Sequence, residues 1–148
     1  MDPVVIVTAA RTPLGAFNGC FKSLSAVELG KVAVKKVAED LDTNVDAVYM
    51  GCALSAGLGQ SAARQAALGA GLSDAVNCVN VNKVCASGMT SVILARNSIL
   101  VGENDVVIAG GMESMTGAPH LLEKARSGYR FGDRKITDHI LKDGLMDA

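Results

Sequence analysis

Apolar positions along this chain alternate between the two-residue period of a strand and the 3.6-residue period of a helix. Strands are predicted where short apolar or alternating runs occur, at residues 4–8, 46–50, 77–82 and 105–109. Helices are predicted in the longer segments between them, at residues 25–41, 60–70 and 86–101. The order βαβαβαβ implies an α/β fold, with a mainly parallel sheet, right-handed crossovers and helices on the faces of the sheet.

Single residues indicate where these helices begin and end. Ser25 is followed three residues later by Glu28, which is the spacing of a capping box at a helix start. Gly71 and Gly102 follow the second and third helices, as expected for residues that end a helix. After Gly117 the periodicity fades, and a polar region follows.

The third predicted helix has almost no charge. Arg96 is the only charged residue between Cys85 and Gly102, where hydroxyl-bearing and small residues are frequent. Because a surface helix carries more charge on its outer face, we expect this helix to be covered on nearly every side. One sheet and three helices do not supply that cover, so a third layer is implied.

Composition and charge exclude several classes of protein. Of the 148 residues, 49% are hydrophobic and only 3% are aromatic, and the net charge is −1. We therefore expect an ordered globular protein with no field strong enough to attract nucleic acid or an anionic membrane. No apolar run has the length of a membrane span, and no basic region with an apolar core marks an export signal. A cytoplasmic protein is predicted, with a mitochondrial location left open.

No metal site, disulfide or phosphate loop is predicted. The two histidines and four cysteines lack the spacing of a zinc site, and no two cysteines form a CxxC pair. A reducing compartment is therefore the default. The segment Gly57–Gln60 fails the spacing of the glycine-rich phosphate loops, so we interpret it as a flexible entry to the second helix.

Cys85 lies where the third predicted strand gives way to the third helix. Free backbone N–H groups and the dipole at a helix start stabilise a thiolate. The same strand-to-helix turn presents the nucleophile in nucleophile elbows, where nearby N–H groups bind an oxyanion. Cys85 is therefore a candidate nucleophile, and the alternative is a small apolar residue that fills the helix start.

The other polar residues near this turn have less specific patterns. Cys20, Cys52 and Cys78 lie in no strand-to-helix turn and are predicted to be packing residues. Asn80 and Asn82, beside the third strand, either orient the turn or make ordinary hydrogen bonds.

Five segments, in order and covering essentially the whole chain, resemble those of the thiolase family. They are Val5-Ile6-Val7-Thr8-Ala9-Ala10-Arg11-Thr12-Pro13, Ala63-Arg64-Gln65-Ala66, Asn82-Lys83-Val84-Cys85-Ala86-Ser87-Gly88-Met89, Gly110-Gly111-Met112-Glu113-Ser114-Met115 and Lys142-Asp143-Gly144-Leu145-Met146-Asp147-Ala148. One such segment is a weak signal, whereas five with sensible spacing are specific. Within the family, the segments are most similar to the acetyl-CoA acetyltransferase (acetoacetyl-CoA thiolase) branch.

The resemblance implies a layered αβαβα fold, of which this chain is the amino-terminal part, and a role for Cys85. In that role its thiolate accepts an acyl group from acyl-CoA and its backbone N–H helps to hold the oxyanion. The acyl group then passes to the enolate of a second acetyl-CoA, or to CoA in the degradative direction. The resemblance implies no metal or redox cofactor, CoA thioesters as substrates, and homodimers or homotetramers. It does not identify the residues that bind CoA.

Parts of the thiolase pattern are missing from the sequence. Related enzymes are more than twice this length, with a His-Met pair just beyond the last residue here and later a Gly-His-Pro and a Cys-x-Gly-Gly-Gly segment. His120 and His139 match none of these and are expected to be solvated or packed in loops. Ser61-Ala62 stands where proline is common, a change expected to affect only the helix entry. The chain alone is therefore expected to be inactive.

The resemblance also divides the chain and leaves alternatives open. Residues 1–117 are interpreted as an amino-terminal half-domain and residues 118–148 as the start of a loop region, with the carboxy-terminal half absent. Lys124–Asp138 corresponds to the loop that builds the tetramer in related enzymes, or is an exposed mobile loop. Two other functions remain open: a condensing enzyme of the same fold (a ketoacyl synthase or hydroxymethylglutaryl-CoA synthase), and a non-catalytic truncated product that binds a partner chain or CoA.

Overall fold

A three-stranded parallel sheet lies at the centre of the computed structural model, which describes residues 3–147. The strands are β1 (Ala47–Gly51), β2 (Asn77–Val81) and β3 (Val107–Gly111), in the order β2-β1-β3. The helices are α1 (Ala26–Glu39), α2 (Ala62–Gly69) and α3 (Ser87–Leu100). Every residue of the central strand β1 is buried, because it has a neighbour on each side and helices on both faces.

The helices lie on opposite faces of the sheet. Val48 and Met50 of β1 belong to a hydrophobic core formed with α1 and α2. Ala47 and Tyr49 point the other way and form a smaller cluster with Ala95 of α3. This alternation follows from the two-residue period of a strand, and it confirms the predicted α/β fold.

The first helix begins as its sequence predicts. The hydroxyl oxygen of Ser25 accepts a hydrogen bond from the backbone N–H of Glu28, and the Glu28 carboxylate accepts one from the N–H of Ser25 at 2.7 Å. The capping box is therefore complete. At the ends of the other two helices, Gly71 and Gly102 have φ angles of +93° and +76°, in the left-handed region that glycine adopts without strain.

The predicted first strand at residues 4–8 is wrong. Val5, Ile6 and Val7 are 67%, 83% and 74% exposed. Within residues 3–147 this segment pairs with neither edge of the sheet, so the described elements begin with α1. An apolar run predicts the tendency to form a strand, but a strand also needs an adjacent edge with free backbone groups.

The polar region after Gly117 contains only short elements. Two antiparallel strands, β4 (His120–Leu121) and β5 (Thr137–Asp138), enclose a largely exposed loop with one 3-10 turn, Ala125–Ser127, and a π-helical turn follows at Ile140–Leu145. The division of the chain near Gly117 stays a prediction. None of the helices within residues 3–147 has the length and apolar content needed to cross a membrane.

Only one face of α3 is covered by this chain. The buried face of α3 consists of Ser87, Ser91, Ala95 and Ser98. On the other side of the helix, Met89 is 71% exposed and Ile93 is 51% exposed. The expectation of cover on nearly every side is therefore not met by residues 3–147 alone, because the sheet contacts a single side of the helix. The remaining apolar face is open within residues 3–147, and its low charge indicates a surface that another layer covers.

We expect the isolated chain to self-associate through this open face of α3. Burying apolar side chains stabilises association by about 25 cal/mol per Å² removed from water. Replacing Met89 and Ile93 together by Glu should shift the sedimentation profile towards monomer. The same replacement at Val32, an exposed apolar residue of α1, serves as the control and should leave association unchanged. A well-behaved monomer for the unsubstituted chain at high concentration would contradict this expectation.

Candidate active site

Two glycines allow the start of α3 to lie against the carboxyl ends of β1 and β3. A β-carbon at Gly51 would lie 2.5 Å from the backbone nitrogen of Gly88 and 2.5 Å from the carbonyl carbon of Ser87. A β-carbon at Gly111 would lie 3.2 Å from the α-carbon of Gly88. Because the backbone at the start of α3 approaches the two strands this closely, the turn before α3 is held at the carboxyl edge of the sheet. Open α/β sheets bind their ligands at that edge.

The turn before α3 is sharp and is held by side chains. Val84 has a φ of +50°, which is unusual for a β-branched residue. The side-chain oxygen of Asn82 accepts a hydrogen bond from the N–H of Val84 at 3.0 Å. The Ser87 hydroxyl accepts one from the N–H of Lys83 at 2.8 Å and donates one to the carbonyl of Val84 at 2.6 Å. Cys85 is exposed within this turn, as in a nucleophile elbow.

A buried hydroxyl joins α3 to the sheet. Ser91 is fully buried, and its hydroxyl oxygen lies 2.6 Å from the carbonyl oxygen of Gly110 in β3 and 2.8 Å from that of Gly88. A buried hydroxyl must be paired, and this one is placed between helix and strand. Ser91 therefore helps to fix the position of α3 over β3.

Cys85 lines a cavity of about 630 Å³, a volume suited to a small-molecule site. Four of the five family-like segments meet there: Arg11–Pro13, the turn with Cys85, Gly111–Met115 and Gly144–Leu145 all contribute to the lining. Ala148, at the end of the last segment, lies outside the described residues. Segments separated by up to about 130 positions thus share one site: two of them follow β2 and β3 at the carboxyl edge of the sheet, and the other two pack there without following a strand of that sheet.

The remaining family-like segment, residues 63–66 in α2, has a structural role. The side-chain nitrogen of Gln65 donates to the carbonyls of Leu58 and Gln60, at 2.7 Å and 2.8 Å. It thereby fixes the loop that enters the helix. Arg64 donates to the carbonyl of Asp74 at 3.1 Å, beyond the helix end.

The two asparagines beside β2 have different partners. Asn82 holds the turn with Cys85, through the N–H of Val84. Asn80 instead accepts a hydrogen bond at 2.7 Å from the N–H of Ala63, near the start of α2. Asn80 thus pairs a free N–H group at the start of α2, where Ser61, the residue before the helix, makes no side-chain cap.

The other cysteines differ in exposure. Cys52 is buried, and burial together with the nearby Glu113 carboxylate raises the pKa of its thiol to about 12. Burial also raises the pKa of the half-buried Cys78 thiol. The prediction that Cys20 is a packing residue is wrong, because it is exposed in the turn region before α1.

We expect Cys85 to react first with iodoacetamide near neutral pH, because the thiolate is the reactive form and Cys85 is exposed at the helix start. Cys20 should follow. Cys78 and Cys52 should be slower by about tenfold for each unit by which the pKa is raised. Brief labelling and peptide mapping measure this order, with the Cys85→Ala chain as a control. Labelling of Cys52 ahead of Cys85 in the folded chain would contradict it.

Neither histidine contributes to the cavity with Cys85. His120 is exposed in β4. His139 is buried and its Nδ1 lies 2.6 Å from a carboxylate oxygen of Asp143, so it is packed as the sequence indicates. Within residues 3–147 no three His, Cys, Asp or Glu side chains gather as metal ligands.

Sequence patterns alone do not single out Glu113 as a functional residue. Its carboxylate accepts hydrogen bonds from the N–H groups of Ala53 and Leu54, at 2.8 Å and 3.0 Å, in the loop after β1. Its position just beyond β3, within the quoted Gly110–Met115 segment, was the available signal. Its partners are about 60 positions away in the sequence and could not be inferred from it.

Comparison with known proteins agrees with the sequence resemblance. Residues 4–148 match the family model described as the thiolase N-terminal domain. An acetyl-CoA acetyltransferase of Escherichia coli is 51% identical over 100% of this chain and 39% of its own length. A cytosolic acetyl-CoA acetyltransferase of Gibberella zeae is 48% identical over 100% of this chain and 38% of its own length.

A solved structure is similar as well. The Acat5 thiolase of Ascaris suum, crystallised in complex with coenzyme A, superposes with a TM-score of 0.89 and 37% sequence identity. The superposition covers 95% of this chain and 37% of that thiolase. The chain thus spans less than two fifths of the relatives it matches.

Proposed function

The chain belongs to the thiolase family, and from that premise we propose that it provides the nucleophilic part of an acetyl-CoA acetyltransferase. Its α/β fold is that of the amino-terminal part of a thiolase. The proposed reaction of the whole enzyme is the condensation of two acetyl-CoA molecules to acetoacetyl-CoA, or the reverse thiolysis, through an acyl-cysteine. The observation that carries this proposal is the position of Cys85, exposed before α3 and lining the cavity.

The first half of the reaction needs a nucleophile and a site for an oxyanion. The Cys85 thiolate attacks the thioester carbonyl carbon of acetyl-CoA, the carbonyl oxygen becomes an oxyanion, and the CoA thiolate leaves as the new thioester forms. The backbone N–H of Cys85 is proposed to hold the oxyanion, and the positive end of the α3 dipole favours the developing negative charge. Ala86 and Gly88 have little or no side chain, which leaves room for the acyl group.

The second half of the reaction needs a base, and the carboxylate that lines the cavity within residues 3–147, Glu113, is engaged by the N–H groups of Ala53 and Leu54. Carbon–carbon bond formation requires removal of a proton from the methyl group of a second acetyl-CoA. No histidine lines the cavity within residues 3–147, and Cys52 is buried. This observation favours the second candidate function for the chain alone, a non-catalytic product that binds CoA or a partner chain. A same-fold synthase is less well supported, because the relatives described above are acetyl-CoA acetyltransferases.

The proposed ligands and assembly follow from the family. The superposed thiolase of Ascaris suum is a complex with coenzyme A, which supports CoA thioesters as the substrates here. We propose no metal or redox cofactor, because acyl transfer through a cysteine requires neither. A homodimer or homotetramer is proposed from the open face of α3, and a cytoplasmic location from the cytosolic relative.

The test of the proposed function is acetylation of the folded chain by acetyl-CoA. One acetyl group should be added, at Cys85, and intact-mass and peptide mass spectrometry will locate it. The Cys20→Ala chain is the matched control, since it lacks the other exposed thiol but should still be acetylated. Acetylation that persists in the Cys85→Ala chain, or that maps to another residue, would reject Cys85 as the nucleophile.

A further inference from the structure

The Glu113 carboxylate connects the ends of two strands beside the cavity. Glu113 lies two residues after β3, and it accepts hydrogen bonds from Ala53 and Leu54, in the loop after β1. Hydrogen bonds from two backbone N–H groups to one carboxylate are charge-assisted and stronger than neutral ones. Glu113 itself lines the same cavity as Cys85.

The same loop is connected to the turn that carries Cys85. The side-chain nitrogen of Asn82 donates to the carbonyl of Ala53 at 3.4 Å. The side-chain oxygen of Asn82 accepts from the N–H of Val84, the residue before Cys85. A series of hydrogen bonds therefore leads from Glu113 through Ala53 and Asn82 to Val84, the residue before the candidate nucleophile.

Glu113 also contacts the second thiol at this edge of the sheet. The Cys52 sulfur lies 3.4 Å from a carboxylate oxygen of Glu113, to which it donates a hydrogen bond. Cys52 is 3% exposed, although its neighbours Gly51 and Ala53 both line the cavity. An ionised carboxylate next to a buried thiol disfavours the thiolate, which is the form that attacks a thioester.

We propose that Glu113 is a positioning residue that fixes the turn carrying Cys85, through Ala53 and Asn82, and that its contact adds to burial in holding Cys52 as a thiol. Acyl transfer is thereby directed to Cys85 and away from the neighbouring thiol. This inference rests on the proposed function, in which Cys85 receives the acyl group. The contacts around Cys52 do not depend on that function, which allows the two to be tested separately.

The test uses the natural polypeptide that carries residues 1–148, with the variants Glu113→Gln, Glu103→Gln and Asn82→Ala. Glu103, an exposed carboxylate in the loop after α3, controls for the loss of one negative charge. Two rates are measured by mass spectrometry: acetylation of Cys85 by acetyl-CoA, and labelling of Cys52 by iodoacetamide as a function of pH. Circular dichroism checks that each variant is folded.

Glu113→Gln should slow acetylation of Cys85 by about tenfold or more, because small displacements of a reacting group are costly. It should also move the labelling profile of Cys52 to lower pH, with about tenfold more labelling at a given pH for a shift of one unit. Glu103→Gln should change neither rate. Asn82→Ala should slow acetylation but leave the Cys52 profile in place, since it interrupts only the second step of the series.

Several results would overturn this proposal. An unchanged Cys52 profile in the folded Glu113→Gln variant would do so whether or not Cys85 is acetylated. Acetylation of Cys85 at the wild-type rate in the Glu113→Gln variant would also overturn it. If Glu113→Gln does not fold, wild-type acetylation in the Asn82→Ala variant would contradict the same series of hydrogen bonds. Absence of Cys85 acetylation in the unsubstituted protein would instead reject the proposed function.

Discussion

Purified residues 1–148 are expected to accept an acetyl group at Cys85 but neither to make nor to cleave acetoacetyl-CoA at an enzymatic rate. Acyl transfer needs an accessible nucleophile, and Cys85 is exposed in the turn before α3. Turnover also needs a base that removes a proton from the methyl group of the second substrate. General base catalysis by a positioned side chain contributes about 10²- to 10⁴-fold to a rate.

Apart from Glu113, whose carboxylate is engaged by the N–H groups of Ala53 and Leu54, the described residues place no such base in the cavity with Cys85. His120 is exposed in β4, and His139 is buried against Asp143, away from the lining of the cavity. Cys52 is a poor substitute, because burial and the carboxylate of Glu113 raise the pKa of its thiol to about 12. A second thiol that is protonated at neutral pH does not remove a proton from carbon.

A thiolysis assay on the purified chain measures this expectation, with mass spectrometry for the acetyl adduct. The Cys85→Ala chain gives the background rate for both measurements. Robust turnover that disappears in the Cys85→Ala chain would mean that a base lies within residues 1–148. The prediction would then be wrong, although the assignment of Cys85 would stand.

Replacing Gly51 by Ala is expected to destabilise the protein and to remove the activity of Cys85 together. The new β-carbon would lie 2.5 Å from two backbone atoms at the start of α3, in Ser87 and Gly88. Backbone cannot rotate away as a flexible side chain can, so either β1 or the helix must move. Overpacking of this kind costs about 1–3 kcal/mol. A displacement of about 1 Å at the helix start can slow acyl transfer by about 100-fold.

Gly110→Ala is the matched control for this substitution. Gly110 is also near the carboxyl edge of the sheet, but a β-carbon there would meet only the Met50 side chain, at 3.6 Å. Denaturant unfolding should show a lower midpoint for Gly51→Ala than for Gly110→Ala, and acetylation of Cys85 should be lost only in the former. Equal stability and equal acetylation in the two variants would mean that α3 does not depend on the bare backbone of β1.

Features that depend on near neighbours could be predicted from the sequence. The capping box needs only Ser25 and Glu28, three positions apart, and the end of α3 needs only a glycine such as Gly102. The turn with Cys85 likewise follows from a strand that ends where a helix begins. The family could be recognised for a related reason, since its segments are short and contiguous, and the matches to thiolases confirm it.

The site as a whole could not be predicted in the same way. Whether Cys85 is the nucleophile stays a prediction, but its surroundings are now specific. Arg11–Pro13 and Gly144–Leu145 line the same cavity, although neither segment follows a strand of the parallel sheet. Similarly, Cys20 and Cys52 have equally uninformative sequences, yet one is exposed and the other buried. Exposure is set by what packs against a residue, which its neighbours in sequence do not determine.

The family, the candidate nucleophile and most of the local elements could thus be inferred from the sequence, because each depends on interactions within a few residues or on contiguous segments. Three other features emerge only in the folded protein: Val5–Val7 lie exposed, Gly51 must lack a side chain, and Glu113 joins two loops about 60 positions apart. Those outcomes depend on which backbone and carboxylate groups meet after the chain has folded. Contacts of that range have no period or spacing in the sequence from which they can be inferred.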